Sequence, residues 1–186
     1  DPLWSRGLGD VYKRQLFIAA PAERVWHELN AARDIRPAEV DGAWAYRAGV
    51  PMPVSGVTVD TPEGRVRQVQ WQKNVRFEEV ITDWQPNRRL QWRFRFSPDS
   101  FPAGALDDHV MIGGQYFDLR DATYTLTPRD GGTELRVEVS WRLSTSFNWY
   151  ADRVMHLLLN DASENILRFY KARSEGTATA GAIIQP

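Results

Sequence analysis

Cysteine is absent from this 186-residue sequence, histidine and methionine occur three times each, and no apolar run approaches the roughly 18 residues of a membrane span. Without cysteine there is no disulfide framework, no thiolate nucleophile and no Cys-based metal site. His27, His109 and His156 are far apart in sequence and offer no recognisable ligand spacing, so no metal is expected. No cofactor motif is present either. Gly113-Gly114 precedes a strand and lacks the Lys-Ser/Thr ending of a phosphate loop. Excess charge is missing too: 23 Lys and Arg face 24 Asp and Glu, a net charge of −1. Such a balance exerts no global pull on nucleic acid or anionic membrane, and no nucleic-acid partner is expected. No internal repeat is seen. Aromatic residues, by contrast, are abundant. Eight Trp, eight Phe and six Tyr supply large apolar area on few rotatable bonds, which suits a core or the wall of an apolar cavity.

The first 15 residues, DPLWSRGLGDVYKRQ, show no periodicity and resemble the translated remnant of a sequencing adapter. They are expected to be a non-native leader of a metagenomic fragment, with Tyr12 to Gln15 standing in for the first half of a strand. Foreign segments are set aside in fold reasoning. About 170 residues remain, the size of one domain. With the leader go three basic and two acidic residues, leaving 20 Lys and Arg against 22 Asp and Glu. The expected domain runs from 16 to 175. Residues 176–186, small and rich in Thr and Ala, read as a disordered tail.

From Leu16 the chain reads LFIAAPAERVWHEL: a short apolar strand, a sharp Pro turn and an amphipathic helix. Pro21 suits the first helical position and Glu23 the positive end of the helix dipole. Ala22, Val25, Trp26 and Leu29 recur at helical spacing on one face. Residues 33–53, broken by Pro37, Pro51 and Pro53, predict a second short helix and an irregular connector. Strands are predicted at 65–72, 75–84 and 89–96. In the last, Leu90, Trp92, Phe94 and Phe96 alternate with Arg89, Gln91, Arg93 and Arg95. Residues 97–108 predict a loop. A hairpin over 115–127 and 133–143 turns at Arg129-Asp130-Gly131-Gly132. In its second arm Leu135, Val137, Val139, Trp141 and Leu143 face inward. A long helix over 147–173 carries Ala151, Val154, Met155, Leu158, Ala162, Ile166 and Phe169 as its apolar stripe.

This order, the APAERVW entry and the run from GGQYFDL through TYTLTP to the terminal helix resemble the START-like (SRPBCC) superfamily of polyketide cyclases, dehydrases and lipid-transfer proteins. The resemblance implies an α+β helix-grip fold: a curved antiparallel sheet wrapped around a long C-terminal helix, with two short helices after strand 1. It also implies an internal cavity. That cavity is expected to take a hydrophobic small molecule such as a lipid, polyketide or isoprenoid, in a binding or transport protein rather than an enzyme. Its expected walls are Trp71, Trp92, Phe94, Tyr124, Val139 and Trp141, with Val154 and Leu158 from the helix.

Two alternatives stay open: a cyclase or dehydratase acting on a polyketide-like substrate, and a partner-binding domain resembling activators of chaperone ATPases. For catalysis the candidates are Glu79, which alternation can turn inward as an acid, and His109, beside Asp107-Asp108 at the end of a loop. Arg65, Arg67, Arg76, Arg93 and Arg95 are expected on the solvated back of the sheet. The fragment is expected to lack a membrane span and is placed in the cytoplasm by default, an upstream membrane segment staying open; oligomeric state is open.

Overall fold

The computed structural model describes residues 8–40, 42–47, 50–105, 117–143 and 148–176, with side chains described except at 8–10, 44–45, 117–118 and 142–159. The chain enters as strand β1 (Leu8–Ile18), turns at Ala19-Ala20-Pro21 into helix α1 (Ala22–Asn30), and touches the sheet again at β2 (Ala31–Ala32). Two single turns, α2 (Pro37–Val40) and α3 (Trp44–Arg47), cross to a meander. Its strands are β3 (Pro53–Thr61), β4 (Gly64–Trp71), β5 (Arg76–Gln85), β6 (Arg89–Arg95), β7 (Phe117–Arg129) and β8 (Gly132–Leu143). Helix α4 (Asn148–Glu175) closes the fold.

The eight strands form one antiparallel sheet in the order β1-β8-β7-β6-β5-β4-β3-β2. This is a helix-grip fold, with three short helical segments between β1 and β3 where the sequence predicts two. Strand β3 is not marked by the sequence pattern, although Val54, Val57, Thr58 and Val59 are β-branched and Pro62-Glu63-Gly64 follows as a turn. The β7–β8 turn falls where predicted, with Gly131 taking a φ of 77° that a side chain would resist.

Breaks in register at Pro53/Ser55, Ile81/Asp83 and Leu119/Asp121 bend the sheet. Each break also changes which residues face inward. On β7 Leu119 borders the interior before the break, and Ala122 and Tyr124 after it. Elsewhere the alternation holds as read: Leu90, Trp92, Leu135, Val137 and Trp141 are buried, Phe94 and Val139 half-buried, and Arg93, Arg95 and Arg136 exposed. The outer face is laced with ion pairs, among them Arg93–Asp121, Arg95–Glu78 and Lys13–Glu138.

One core cluster joins α1 (Ala22, Val25, Leu29), the sheet (Ile18, Leu90, Trp92, Leu126, Leu135) and the C-terminal half of α4 (Leu167, Phe169, Tyr170). Trp26 is half-buried and meets Trp84 edge-on, ring centroids 4.8 Å apart, while the Arg65 guanidinium lies 4.1 Å over the Trp84 ring. Two polar clasps hold α4 in the grip. Lys171 donates to the carbonyl of Phe17, and Glu175 accepts from the Ala19 amide. Arg173 grips the Glu39 carboxylate with two nitrogens (2.9 and 3.1 Å) and donates to the carbonyls of Arg33 and Asp34. Among the described residues no helix is long and apolar enough to cross a membrane.

Residues 8–15, which the sequence sets apart as a leader, pair with β8 at every position from Leu8 to Gln15. Within them Tyr12 is buried and donates a 2.6 Å hydrogen bond to Asn160 of α4. Deleting residues 1–15 is therefore expected to destabilise the domain by more than Tyr12→Ala does, itself about 3 kcal/mol by analogy with other buried aromatic truncations. Urea denaturation measures both. An unchanged midpoint for the deletion would put the start of the domain at Leu16.

A second expectation concerns pH. Burial opposes ionisation of Glu39, but hydrogen bonds from Arg173 and the Arg36 amide, with the Arg173 charge, outweigh it and hold the carboxyl below its usual range. A depressed folded-state value means stability present above the unfolded pKa and lost as pH falls through the folded one. Glu39→Gln should flatten the fall in stability between about pH 5 and pH 3, seen in thermal midpoints across that window.

Candidate functional site

Between the concave face of the sheet and α4 lies a cavity of about 260 Å³. One end is aromatic. Trp71, Phe77, Phe94, Phe96 and Phe101 border it, and Phe77 has Trp71 and Phe96 each at 5.3 Å between ring centroids. Trp71, Phe77 and Phe94 arrive there because β4, β5 and β6 present alternate residues to the same face, and Phe96 and Phe101 come from the chain just after β6. The floor is Trp92 stacked on Tyr124 at 5.1 Å, with Ala122, Val137 and Val139. The roof comes from α4: Ala162, Ser163, Ile166 and Tyr170. Ile35, Tyr46, Val50 and Pro53 of the connector close the side.

At the opposite end sits a buried polar cluster. Arg67 is 7% exposed and Glu79 5%. Arg67 Nη1 donates to Glu79 Oε2 at 2.6 Å, Nη2 to the Tyr170 hydroxyl at 3.0 Å, and Nε to the Leu29 carbonyl at 3.1 Å. That carbonyl belongs to the last turn of α1, where no intrahelical partner exists and a cation is favoured. The guanidinium also lies 5.4 Å from the Trp92 ring centre. Gly56 of β3 makes the room: a Cβ there would stand 2.2 Å from Arg67 Nη2.

Burial pushes the Glu79 carboxyl up, against the pull of Arg67. Burial alone would lower the Arg67 value, but Tyr170 and Glu79 facing it raise it, so the guanidinium stays charged. Tyr124 and Tyr170 lie above the ordinary phenol value, chiefly through burial, and both remain protonated at neutral pH. Tyr46 is pushed up to about 12 by burial and by Asp161.

Five of the expected wall residues, Trp71, Trp92, Phe94, Tyr124 and Val139, border the cavity. Trp141 is fully buried but is not part of the wall. Val154 and Leu158 fall on the part of α4 outside the described side chains, and His109 lies outside the described residues. Glu79 borders the cavity, locked in its ion pair. Arg67 corrects the expectation of an all-solvated arginine set: it shares the β4 phase of Val69 and Trp71 and points inward with them. The sequence reading also misses Tyr170, although it continues the series Ala162, Ile166 at i+4. His27 is exposed, 3.6 Å from Glu28. Among the described residues no group of His, Asp and Glu could hold a metal ion.

No family model and no curated protein matches the sequence. Solved structures do. The Zhui aromatase/cyclase from Streptomyces sp. R1128 is 14% identical over 95% of this chain and 100% of its own, with a TM-score of 0.57. The di-domain ARO/CYC BexL from the BE-7585A biosynthetic pathway is 16% identical with a TM-score of 0.54; 92% of this chain aligns, spanning 52% of that protein, about half its length. Ara h 8.0201 is 13% identical over 93% of this chain and 99% of its own, with a TM-score of 0.51. At these identities the likeness establishes the fold alone, a helix grip.

The pair sets up a clear experiment. Arg67→Met strands Glu79 and leaves the Leu29 carbonyl unmet, and should cost about 3–5 kcal/mol in denaturant unfolding. Arg67→Met with Glu79→Leu should be more stable than Arg67→Met alone, because no buried charge is left without its partner. Additive losses would mean that the two residues act independently.

Proposed function

We propose that this domain binds a hydrophobic small molecule in the cavity beneath α4. The observation that carries this reading is the cavity itself, walled by five aromatic rings at one end and by a stacked Trp–Tyr floor. Apolar walls with a few convergent polar groups are the usual make-up of small-molecule sites. For scale, an apolar cavity of about 150 Å³ is enough to bind benzene. The space here suits a body of about two fused rings or a short branched chain. The kinship of fold with aromatase/cyclases and with Ara h 8.0201 is in keeping with it.

Binding is preferred to cyclase or dehydratase chemistry for a specific reason. Such chemistry needs an acid or base free to meet the ligand. Among the described residues the inward carboxylate, Glu79, is held by Arg67 at 2.6 Å. Expression in a lipid-rich host followed by native mass spectrometry tests the reading, with a co-purifying small-molecule mass expected. A second check fills the space. Ala162→Phe projects a ring from the roof, and should cost less than about 1 kcal/mol while weakening binding of a naphthalene-based fluorescent probe at least tenfold. In a close-packed interior the same change would cost about 1–3 kcal/mol. A large stability loss, with no probe binding in the parent, would remove the cavity and the function together.

A further inference from the structure

The polar atoms of the cavity wall are unequally occupied. All three nitrogens of Arg67 already donate to protein acceptors: Leu29 O, Glu79 Oε2 and the Tyr170 hydroxyl. Among the described wall residues the buried cation, Arg67, is therefore neutralised by Glu79 and has three of its five N–H groups engaged. Tyr170 has its oxygen engaged by Arg67. Tyr124 differs. It borders the cavity and is 6% exposed, and its contacts are ring contacts, stacked on Trp92 and edge-on to Tyr170 at 6.1 Å. Its hydroxyl has no hydrogen-bond partner among the described residues. That hydroxyl borders the cavity with no described protein group to pair with, so within the cavity its partners are water or a ligand atom, and a ligand acceptor can take the place of the water. A protonated phenol in this setting donates, so its complement is an acceptor.

We infer that the cavity selects an uncharged molecule carrying a carbonyl or ether oxygen, received by the Tyr124 hydroxyl, and turns away carboxylic acids, fatty acids included. This deepens the hydrophobic-ligand reading above and rests on it. The exclusion of acids follows from the same geometry. An incoming carboxylate would meet Glu79, already paired with Arg67, and would find no counter-ion of its own among the described residues of the wall. A neutral ketone requires nothing further: its flat body lies along the aromatic end and its oxygen reaches Tyr124.

Three probes of one size separate the cases: acetylnaphthalene, its isopropenyl isostere in which the oxygen is replaced by a methylene group, and naphthoate. Affinities are read by tryptophan quenching at neutral pH in the parent and in Tyr124→Phe. Because that change removes only an oxygen with no described protein partner, the variant is expected to keep the parent's thermal midpoint. The parent should bind the ketone about three- to tenfold more tightly than the alkene, the range of one net hydrogen bond. Naphthoate should bind at least tenfold more weakly than the ketone. In Tyr124→Phe the ketone-to-alkene ratio should fall to about one.

A ratio retained in Tyr124→Phe would overturn the assignment to Tyr124. Equal binding of ketone and alkene by the parent, or naphthoate binding as well as the ketone, would overturn the inference and leave the cavity reading standing. Failure of all three probes to bind the parent would instead count against the cavity reading itself. The parent's ratios need no substitution, so these outcomes are readable even if the variant is unstable.

Discussion

Burying Arg67 against Glu79 takes two charges out of water, and the surrounding structure is arranged to make that tolerable. Desolvation of such a pair is recovered only when the geometry is close and the remaining donors find acceptors. Here the acceptors come from distant parts of the chain: the end of α1, strand β5 and helix α4. A single side chain on β4 thus fixes the position of the first helix, the last helix and the middle of the sheet relative to one another. The hydrophobic effect pulls these elements together but is non-directional. The guanidinium fork supplies direction, because its donors lie in one plane at fixed angles.

That arrangement also shapes the cavity. Were α4 to slide toward the sheet and fill the space, Tyr170 would have to leave Arg67 and the guanidinium would lose an acceptor. On the other side the Arg173–Glu39 clasp holds the connector that carries Ile35 to α4. The space therefore persists between two polar struts, one deep and one near the surface, while aromatic rings too rigid to collapse into it stand around the edge. Among the described wall residues the two buried charges, Arg67 and Glu79, answer each other.

Much of this was legible in the sequence. The strict alternation of Leu90 to Phe96 and of Leu135 to Trp141 set the faces of β6 and β8, and the structure keeps them. Helical spacing likewise placed Ala22, Val25 and Leu29 inside. What escaped had physical reasons. Arg67 lies in phase with Val69 and Trp71, but an arginine in a β-strand is far more often solvated, and the partner that reverses the odds, Glu79, is twelve residues away on another strand. Tyr170 sits beside Phe169 on a helix whose stripe broadens near its end, so a one-dimensional stripe passes it by. The register breaks on β5 and β7 change the inward phase in mid-strand. Strand β3 has weak alternation because both its faces are half-buried.

Gly56 carries a consequence for how this chain can change over time. A Cβ at position 56 would stand 2.2 Å from the Arg67 guanidinium, so a side chain there requires Arg67 to move off the partners that hold it. Removing Arg67 strands a carboxyl group, and removing Glu79 strands a cation. No one of these positions can be exchanged alone without passing through a damaged intermediate. The three behave as one inherited unit spread over three strands, and descendants of this domain would be expected to keep the set whole or to have replaced it whole.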